Sequence, residues 1–169
     1  MSSVFQDVYR FNALAGNNGG AGGILNSPML RQSFAHCGEE LGELALAIEG
    51  LEDRLLLSES PQESARLLEP VADAALDLIY VSVNVLYALG LRRPDLLWRE
   101  VHASNMQKLP DCPDCGTKPQ HEQGICRTCD STRKIPPLRR ADGKILKPDG
   151  WLPPDLTKHI IEELFSHGT

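Results

Sequence analysis

A nearly uninterrupted apolar stretch over residues 71–89 most limits how this chain can fold. At helical spacing its Ala, Leu, Ile and Val side chains cover almost every direction around the axis, and Gly90 follows as a natural C-terminal stop. The stretch therefore predicts a helix buried at the centre of the molecule. Its longest uncharged part, residues 78–91, falls short of the roughly 20 residues that a membrane-spanning helix needs.

Helical periodicity also covers most of the remaining chain, and no segment has a convincing strand pattern. Capping residues, prolines and glycines mark where the helices should begin and end. The predicted helices cover residues 4–15, 27–50, 61–89 with a break or restart at Pro70, 94–108 and 155–165. The sequence thus predicts an all-α fold in which residues 1–169 form a single domain, a helical bundle of about four to five helices.

Two segments are predicted to lie outside the helices. Residues 16–23 are rich in glycine and predict a flexible linker or a mobile lid. A phosphate-binding loop is disfavoured there, because the segment lacks both a Gly-Lys-Ser/Thr ending and a preceding strand. Residues 135–154 are rich in proline and contain Asp142-Gly143 and Asp149-Gly150 turns, which predict an ordered loop or short hairpin.

The charge balance excludes some classes of partner. A net charge of −6 and a pI near 5.3 disfavour non-specific binding to nucleic acid or to anionic membranes, since both depend on excess basic charge. The first residues, which include Gln6, Asp7 and Arg10, lack the basic start and apolar middle of a signal peptide. We therefore expect a cytoplasmic protein without a membrane partner. Thiols stay reduced there, so the five cysteines are interpreted first as metal ligands or buried apolar groups.

Carboxylates are concentrated on two of the predicted helices. They are Glu39, Glu40 and Glu43 on the second helix and Asp73 and Asp77 on the apolar one. Helical spacing gathers each group on one side of its helix, so two facing helices could present all five to one point. Buried carboxylates need cations or donors, and Mg²⁺ takes oxygen ligands and bridges to phosphates. For the glutamates alone, an exposed acidic face is the ordinary alternative.

These motifs resemble a known family. Glu39-Glu40-x-x-Glu43, followed about thirty residues later by acids in an Asp-Leu-Ile-Tyr helix, is similar to the all-α nucleoside triphosphate pyrophosphohydrolases. This is the MazG-like group that also includes phosphoribosyl-ATP pyrophosphatase. The similarity extends to residues 7–12, 101–108, 142–147 and 153–156. The chain departs from the common Glu-x-x-Asp spacing, because Ala74 lies three residues before Asp77, but Asp73 at four residues keeps both acids on one face.

The resemblance implies an enzyme and a set of site residues. Glu40, Glu43 and Asp77 are implied as Mg²⁺ ligands, with Asp73 and Glu39 as a further ligand or a base, and Mn²⁺ is expected to substitute for Mg²⁺. Water would attack the α-phosphorus of a (deoxy)nucleoside triphosphate and release pyrophosphate and a monophosphate. A purine substrate such as dGTP or GTP is suggested by small phage-encoded members of the group. Contacts to the nucleotide are implied for Asn12, Asn84, Asn105, Lys108, Lys144 and Lys147.

Two Cys-x-x-Cys pairs form a second strong signal. They consist of Cys112, Cys115, Cys126 and Cys129. Four thiolates at this spacing suit a closed, structural zinc site, so residues 110–132 are predicted to be a zinc-binding insertion in the helical domain. Two disulfides or four unrelated thiols are the alternatives. The insertion departs from the family pattern, in which Asn-x-x-Lys is soon followed by the Asp-Gly-Lys loop.

Two further expectations concern partners. The alternative to an enzyme is a zinc-ribbon module that binds nucleic acid or protein through a basic surface comprising Lys118, Arg127, Arg133 and Lys134. No aromatic residue lies between Cys112 and Cys129 to stack on a base, so nucleic acid is not expected as the partner. The apolar helix also needs more cover than four short helices provide, which predicts a homodimer or homotetramer.

Overall fold

The computed structural model describes residues 3–20, 25–115 and 134–165. Within these ranges the chain forms six helices and two isolated β-bridges, so the predicted all-α class is confirmed. The helices are α1 (Val4–Leu14), α2 (Ser27–Ile48), α3 (Leu51–Leu56), α4 (Pro61–Ala88), α5 (Pro94–Met106) and α6 (Leu156–Phe165).

The helices begin at capping residues. Ser3 caps α1, and its hydroxyl accepts from the backbone N–H of Gln6, whose side chain accepts from the Ser3 backbone in return. Ser60 caps α4 as predicted and accepts from the backbone N–H of Glu63 at 3.2 Å. The cap of α2 is Asn26, one residue before the predicted start at Ser27. Local hydrogen bonding therefore sets these helix ends to within about a residue.

Two helical expectations are corrected. The predicted break at Pro70 is wrong, because α4 continues through Pro70 as one helix of 28 residues. An interior proline costs about 3 kcal/mol, but α4 packs along α2, and this packing outweighs the local preference.

The short helix α3 was not predicted, since six residues are too few to show a periodicity. It follows Gly50, whose φ of 64° turns the chain out of α2.

The chain divides into two compact units. The first comprises residues 1–94 and 160–169, and the second comprises residues 95–159. In the first unit, α2 and α4 pack against each other most extensively, and α1 and α3 also contact α4. This arrangement places the acidic segments of α2 and α4 on adjacent helices.

The apolar helix is less enclosed than the sequence predicts. Ala74, Val83 and Tyr87 of α4 are buried, but Leu76 is 65% exposed and Ile79 49% exposed. On α2 the exposed large apolar side chains are Phe34, Leu41, Leu46 and Ile48. The expectation of a helix buried on all sides is therefore wrong for the single chain, because α1, α2 and α3 cover only part of its circumference. The predicted oligomer remains a prediction.

By length and composition alone, α4 could also cross a membrane, although the longest uncharged run of the sequence, residues 78–91, is shorter than a membrane span. This resemblance to a membrane span is weak, since the core helix of a soluble protein has the same length and hydropathy.

The first part of the glycine-rich segment lies on the C-terminal end of α4. The backbone N–H of Gly20 donates to the Tyr87 carbonyl at 3.1 Å, and the Tyr87 hydroxyl donates to the Asn17 carbonyl at 3.1 Å. A Cβ atom at Gly19 would lie 2.6 Å from the Tyr87 ring, so the close approach requires glycine. The expected flexible loop is thus hydrogen-bonded to α4 as far as Gly20, and residues 21–24 lie outside the described ranges.

In the second unit, residues 138–146 form a short hairpin. The backbone N–H of Leu146 donates to the Leu138 carbonyl at 2.9 Å, and Arg139 pairs with Ile145 in an antiparallel bridge. Gly143 occupies the turn with a φ of 82°, and the neighbouring carboxylate of Asp142 is paired with Arg140. The hydrogen bond from Arg140 holds the pKa of Asp142 below its usual range. The predicted ordered loop or short hairpin is confirmed.

Candidate active site

The carboxylates of α2 and α4 come within electrostatic range of each other. Burial raises the pKa of Glu40 above its ordinary value, and the charges of Glu43, Asp77 and Glu39 raise it further, whereas His36 lowers it. Asp77 is on α4 and Glu40 is on α2, so the effect of the Asp77 charge on the Glu40 pKa acts between the two helices. The predicted approach of acids from both helices is therefore visible for Glu39, Glu40, Glu43 and Asp77. For Asp73 no comparable influence on Glu40 is found.

The predicted burial of the acids on α4 is wrong. Asp73 and Asp77 are both exposed, and Glu40 is the one half-buried member of the five carboxylates. Burial contributes to the raised pKa of Glu40, but for the four exposed carboxylates a large desolvation cost cannot be the reason for needing a cation. What remains is like-charge crowding, because none of the described residues forms an ion pair or a hydrogen bond with any of the five carboxylates.

The oxygen ligands of these clustered acidic side chains fit a hard divalent cation. Glu40, Glu43, Asp73 and Asp77 offer oxygen ligands from two adjacent helices, as Mg²⁺ prefers. Among the described residues, no three His, Cys, Asp or Glu side chains stand close enough to hold one ion.

Glu40→Gln is expected to raise the melting temperature in EDTA at neutral pH. The raised pKa means that the wild-type protein loses stability as pH rises through that pKa, because the ionised carboxylate is then half-buried and stands beside like charges. The neutral amide avoids this loss, so the difference between the two proteins should vanish below about pH 4. Thermal denaturation from pH 4 to pH 8, with and without Mg²⁺, measures both effects.

Glu52→Gln is the matched control, since Glu52 is an exposed glutamate on α3. It should leave the melting temperature unchanged in EDTA at every pH. Glu40→Gln should also reduce the stabilisation by Mg²⁺. A Glu40→Gln protein that gained no stability at neutral pH would contradict the crowding of these acids.

Asn12 and Asn84, the predicted nucleotide-binding asparagines of the first unit, are hydrogen-bonded to each other. Asn12 is 1% exposed, and its side-chain amide donates to Asn84 Oδ1 at 2.7 Å and to the Val8 carbonyl at 2.9 Å. Its oxygen accepts from the Asn17 amide at 2.9 Å. Asn12 therefore joins α1 to α4 through a satisfied buried network. The predicted contact of Asn12 and Asn84 with a nucleotide stays a prediction.

Asn12→Ala is expected to lower the free energy of unfolding by about 2–3 kcal/mol, because it leaves buried polar partners unsatisfied. Urea denaturation measures this loss. Asn105→Ala is the matched control, since Asn105 is exposed on α5 and should alter stability little. If Asn12→Ala instead kept full stability and only raised KM for a triphosphate, its principal role would be nucleotide binding.

Two of the predicted nucleotide-binding residues, Lys108 and Lys147, lie near a tryptophan, Trp151, in the second unit. Lys108 Nζ donates to Asn105 Oδ1 at 2.6 Å and lies 5.4 Å from the centre of the Trp151 ring. Lys147 Nζ lies 3.9 Å from the same centre. Lys144 is on the hairpin turn, where its backbone N–H donates to Asp142 at 3.1 Å. Trp151 was not identified from the sequence, because it lies in a loop where no periodicity marks it.

The first half of the predicted zinc site is buried. Cys112 is 2% exposed and Cys115 is 4% exposed, and both pack with the half-buried Ile135. At the base of the insertion, Lys134 Nζ lies 2.7 Å from Asp111 Oδ1, and the two residues pair in an antiparallel bridge. This pairing neutralises Lys134, one of the basic residues on which the zinc-ribbon alternative depends. Cys126 and Cys129 lie outside the described ranges, as do Lys118, Arg127 and Arg133.

The residues and their geometry are the basis for a functional assignment. Comparison of the sequence with protein-family models and with curated proteins gave no match. The assignment therefore depends on the chemistry of the carboxylates on α2 and α4 and on the motifs that surround them.

Proposed function

We propose that this protein is a Mg²⁺-dependent hydrolase that converts a (deoxy)nucleoside triphosphate to the monophosphate and pyrophosphate. The observation that carries the proposal is the packing of α2 against α4, which places Asp77 close enough to Glu40 to raise its pKa, while no described residue forms an ion pair with these acids. Such a group is poorly suited to stabilising the fold by itself, and well suited to a divalent cation. A purine nucleotide is the proposed substrate, with dGTP the first to test.

In this proposal the carboxylates divide into ligands and a base. Glu40, Glu43, Asp77 and Asp73 would hold Mg²⁺, which when bound polarises the phosphate and offsets its negative charge. Glu39, exposed and next to Glu40, accepts a proton from the attacking water. The water oxygen forms a bond to the α-phosphorus, the bond between the α-phosphorus and the bridging oxygen breaks, and pyrophosphate leaves with that oxygen.

The proposed nucleotide contacts include Asn105, Lys108 and Lys147 of the second unit. None of the ion pairs between described residues involves either lysine, so both ammonium groups remain available to an anion. A lysine is a point charge with three donors and commonly contacts phosphate oxygens. Lys144 is included from the motif resemblance alone.

The proposed protein is cytoplasmic and forms a homodimer or homotetramer. The exposed apolar side chains of α2 and α4, including Phe34, Leu41 and Leu76, favour a partner surface, because a second copy would remove them from water. Light scattering at micromolar concentration tests this proposal, and a monomer would contradict it.

The deciding experiment follows both products and the position of bond cleavage. Purified protein is incubated with each common nucleoside and deoxynucleoside triphosphate in ¹⁸O-labelled water, with Mg²⁺, with Mn²⁺ or with EDTA. Attack at the α-phosphorus predicts pyrophosphate release and the label in the monophosphate, with no turnover in EDTA. If no triphosphate is hydrolysed with either metal, the enzyme proposal is rejected. A DNA or RNA complex that survives moderate salt would then favour the zinc-ribbon alternative.

A further inference from the structure

Trp151 is held in a fixed orientation in the second unit. Its indole Nε1 donates to the Ser104 carbonyl at 2.8 Å, and the Ser104 hydroxyl donates to the Leu152 carbonyl at 3.0 Å. Ser104 is 5% exposed, so one buried residue on α5 accepts the first of these hydrogen bonds and donates the second. The preceding turn, in which Gly150 has a φ of 77°, adds a bond from the Trp151 backbone to the Pro148 carbonyl. These contacts leave the ring little freedom to rotate.

Two lysines from distant parts of the chain approach this ring. Lys147 Nζ lies 3.9 Å and Lys108 Nζ 5.4 Å from the ring centre. Both distances are within the roughly 6 Å over which an ammonium group is attracted to the face of an aromatic ring. Lys108 is fixed further by its bond to Asn105. Two positive charges thus lie near one indole ring.

This arrangement lacks a counter-charge. The indole and the Asn105 amide are neutral, and no described carboxylate forms an ion pair with Lys108 or Lys147, although the chain carries a net charge of −6. Ammonium groups near one ring repel each other, and an anion beside them offsets this repulsion. A ligand with several charged oxygens would offset both charges and accept several hydrogen bonds.

We infer that Trp151 is a positioning residue that holds Lys108 and Lys147 for the phosphate chain of a ligand, with pyrophosphate as the recognised group. The identity of that ligand as a nucleoside triphosphate rests on the proposed function. Trp151 acts through the lysines and does not touch the reacting atoms. In this inference the indole places the two positive charges and does not stack on a base.

Binding of inorganic pyrophosphate to the full chain tests this inference directly. Isothermal titration calorimetry in EDTA removes any contribution from Mg²⁺ and from turnover. Trp151→Leu is expected to weaken pyrophosphate binding about threefold to thirtyfold, and Trp151→Phe, which keeps an aromatic face, should weaken it less. Lys147→Met should weaken binding as well. Combining it with Trp151→Leu should weaken binding by less than the sum of the two single changes in binding free energy, because both changes act in part through Lys147.

Trp98→Leu is the matched control, since Trp98 is also on the second unit and is 58% exposed on α5. It should leave pyrophosphate binding unchanged. With a triphosphate as substrate, Trp151→Leu should raise KM more than it lowers kcat. A loss of stability alone would not produce that pattern.

Three outcomes separate this inference from the proposed function. Trp151-dependent binding of pyrophosphate without any hydrolysis would support the inference and reject the proposed function. Hydrolysis with an unchanged KM and unchanged pyrophosphate binding in Trp151→Leu would overturn the inference alone. If Trp151→Leu does not fold, Trp151→Phe and Lys147→Met decide, and full binding by both would overturn the inference.

Discussion

Glu43→Ala is expected to lower the Mg²⁺-dependent release of pyrophosphate on the order of a thousandfold, an effect typical of removing a group that acts on charge in the transition state. Glu43 contributes more than any other neighbouring charge to the raised pKa of Glu40, which shows that the two carboxylates are close. Without Glu43, the proposed Mg²⁺ site would lose one of its two ligands from α2. Steady-state kinetics over a range of Mg²⁺ concentrations measures the change.

The loss of activity should occur in a folded protein. Removing a charge from a crowded acidic group relieves repulsion, so Glu43→Ala should be at least as stable in EDTA as the wild-type protein. Its zinc content should also be unchanged. Glu52→Ala, an exposed glutamate on α3, is the control and should keep full activity. If Glu43→Ala turned over at the wild-type rate with the same Mg²⁺ dependence, Glu43 would not be a ligand.

Cys112→Ser is expected to remove stoichiometric zinc and to lower the free energy of unfolding by several kcal/mol. Structural zinc binds finger peptides with about 10–16 kcal/mol, and much of that free energy supports folding. In this protein Cys112 and Cys115 are buried and pack with Ile135, and the neighbouring residues Asp111 and Lys134 pair with each other. Zinc would therefore stabilise a small, separate cluster. Metal analysis together with urea denaturation measures both losses, and Cys126→Ser should behave in the same way.

Cys37→Ser is the control for this prediction. Cys37 is half-buried on α2, where its sulfur lies 3.9 Å from the Ser82 hydroxyl. Its replacement should leave the zinc content unchanged. A wild-type protein purified without zinc, and not stabilised by added zinc, would show that the burial of Cys112 and Cys115 reflects packing alone. Glu43→Ala and Cys112→Ser should therefore affect different properties of the protein, activity in the first case and stability in the second.

The sequence by itself determined the class of fold and most of the helix ends. The Ser60 cap, the stop before Gly90 and the Asp142-Gly143 turn depend on interactions within a few residues, and such interactions can be predicted from local pattern. The same reasoning placed the acids on two helices, since helical spacing is a local property.

Only the tertiary structure decided which of these groups meet and how exposed they are. It brought Asp77 close enough to influence Glu40, left Asp73 and Asp77 exposed, and kept α4 continuous through Pro70. It also gathered Lys108 and Lys147 at Trp151. These outcomes depend on how residues far apart in the chain pack together, and the free energy of that packing exceeds the local preferences that a sequence pattern records.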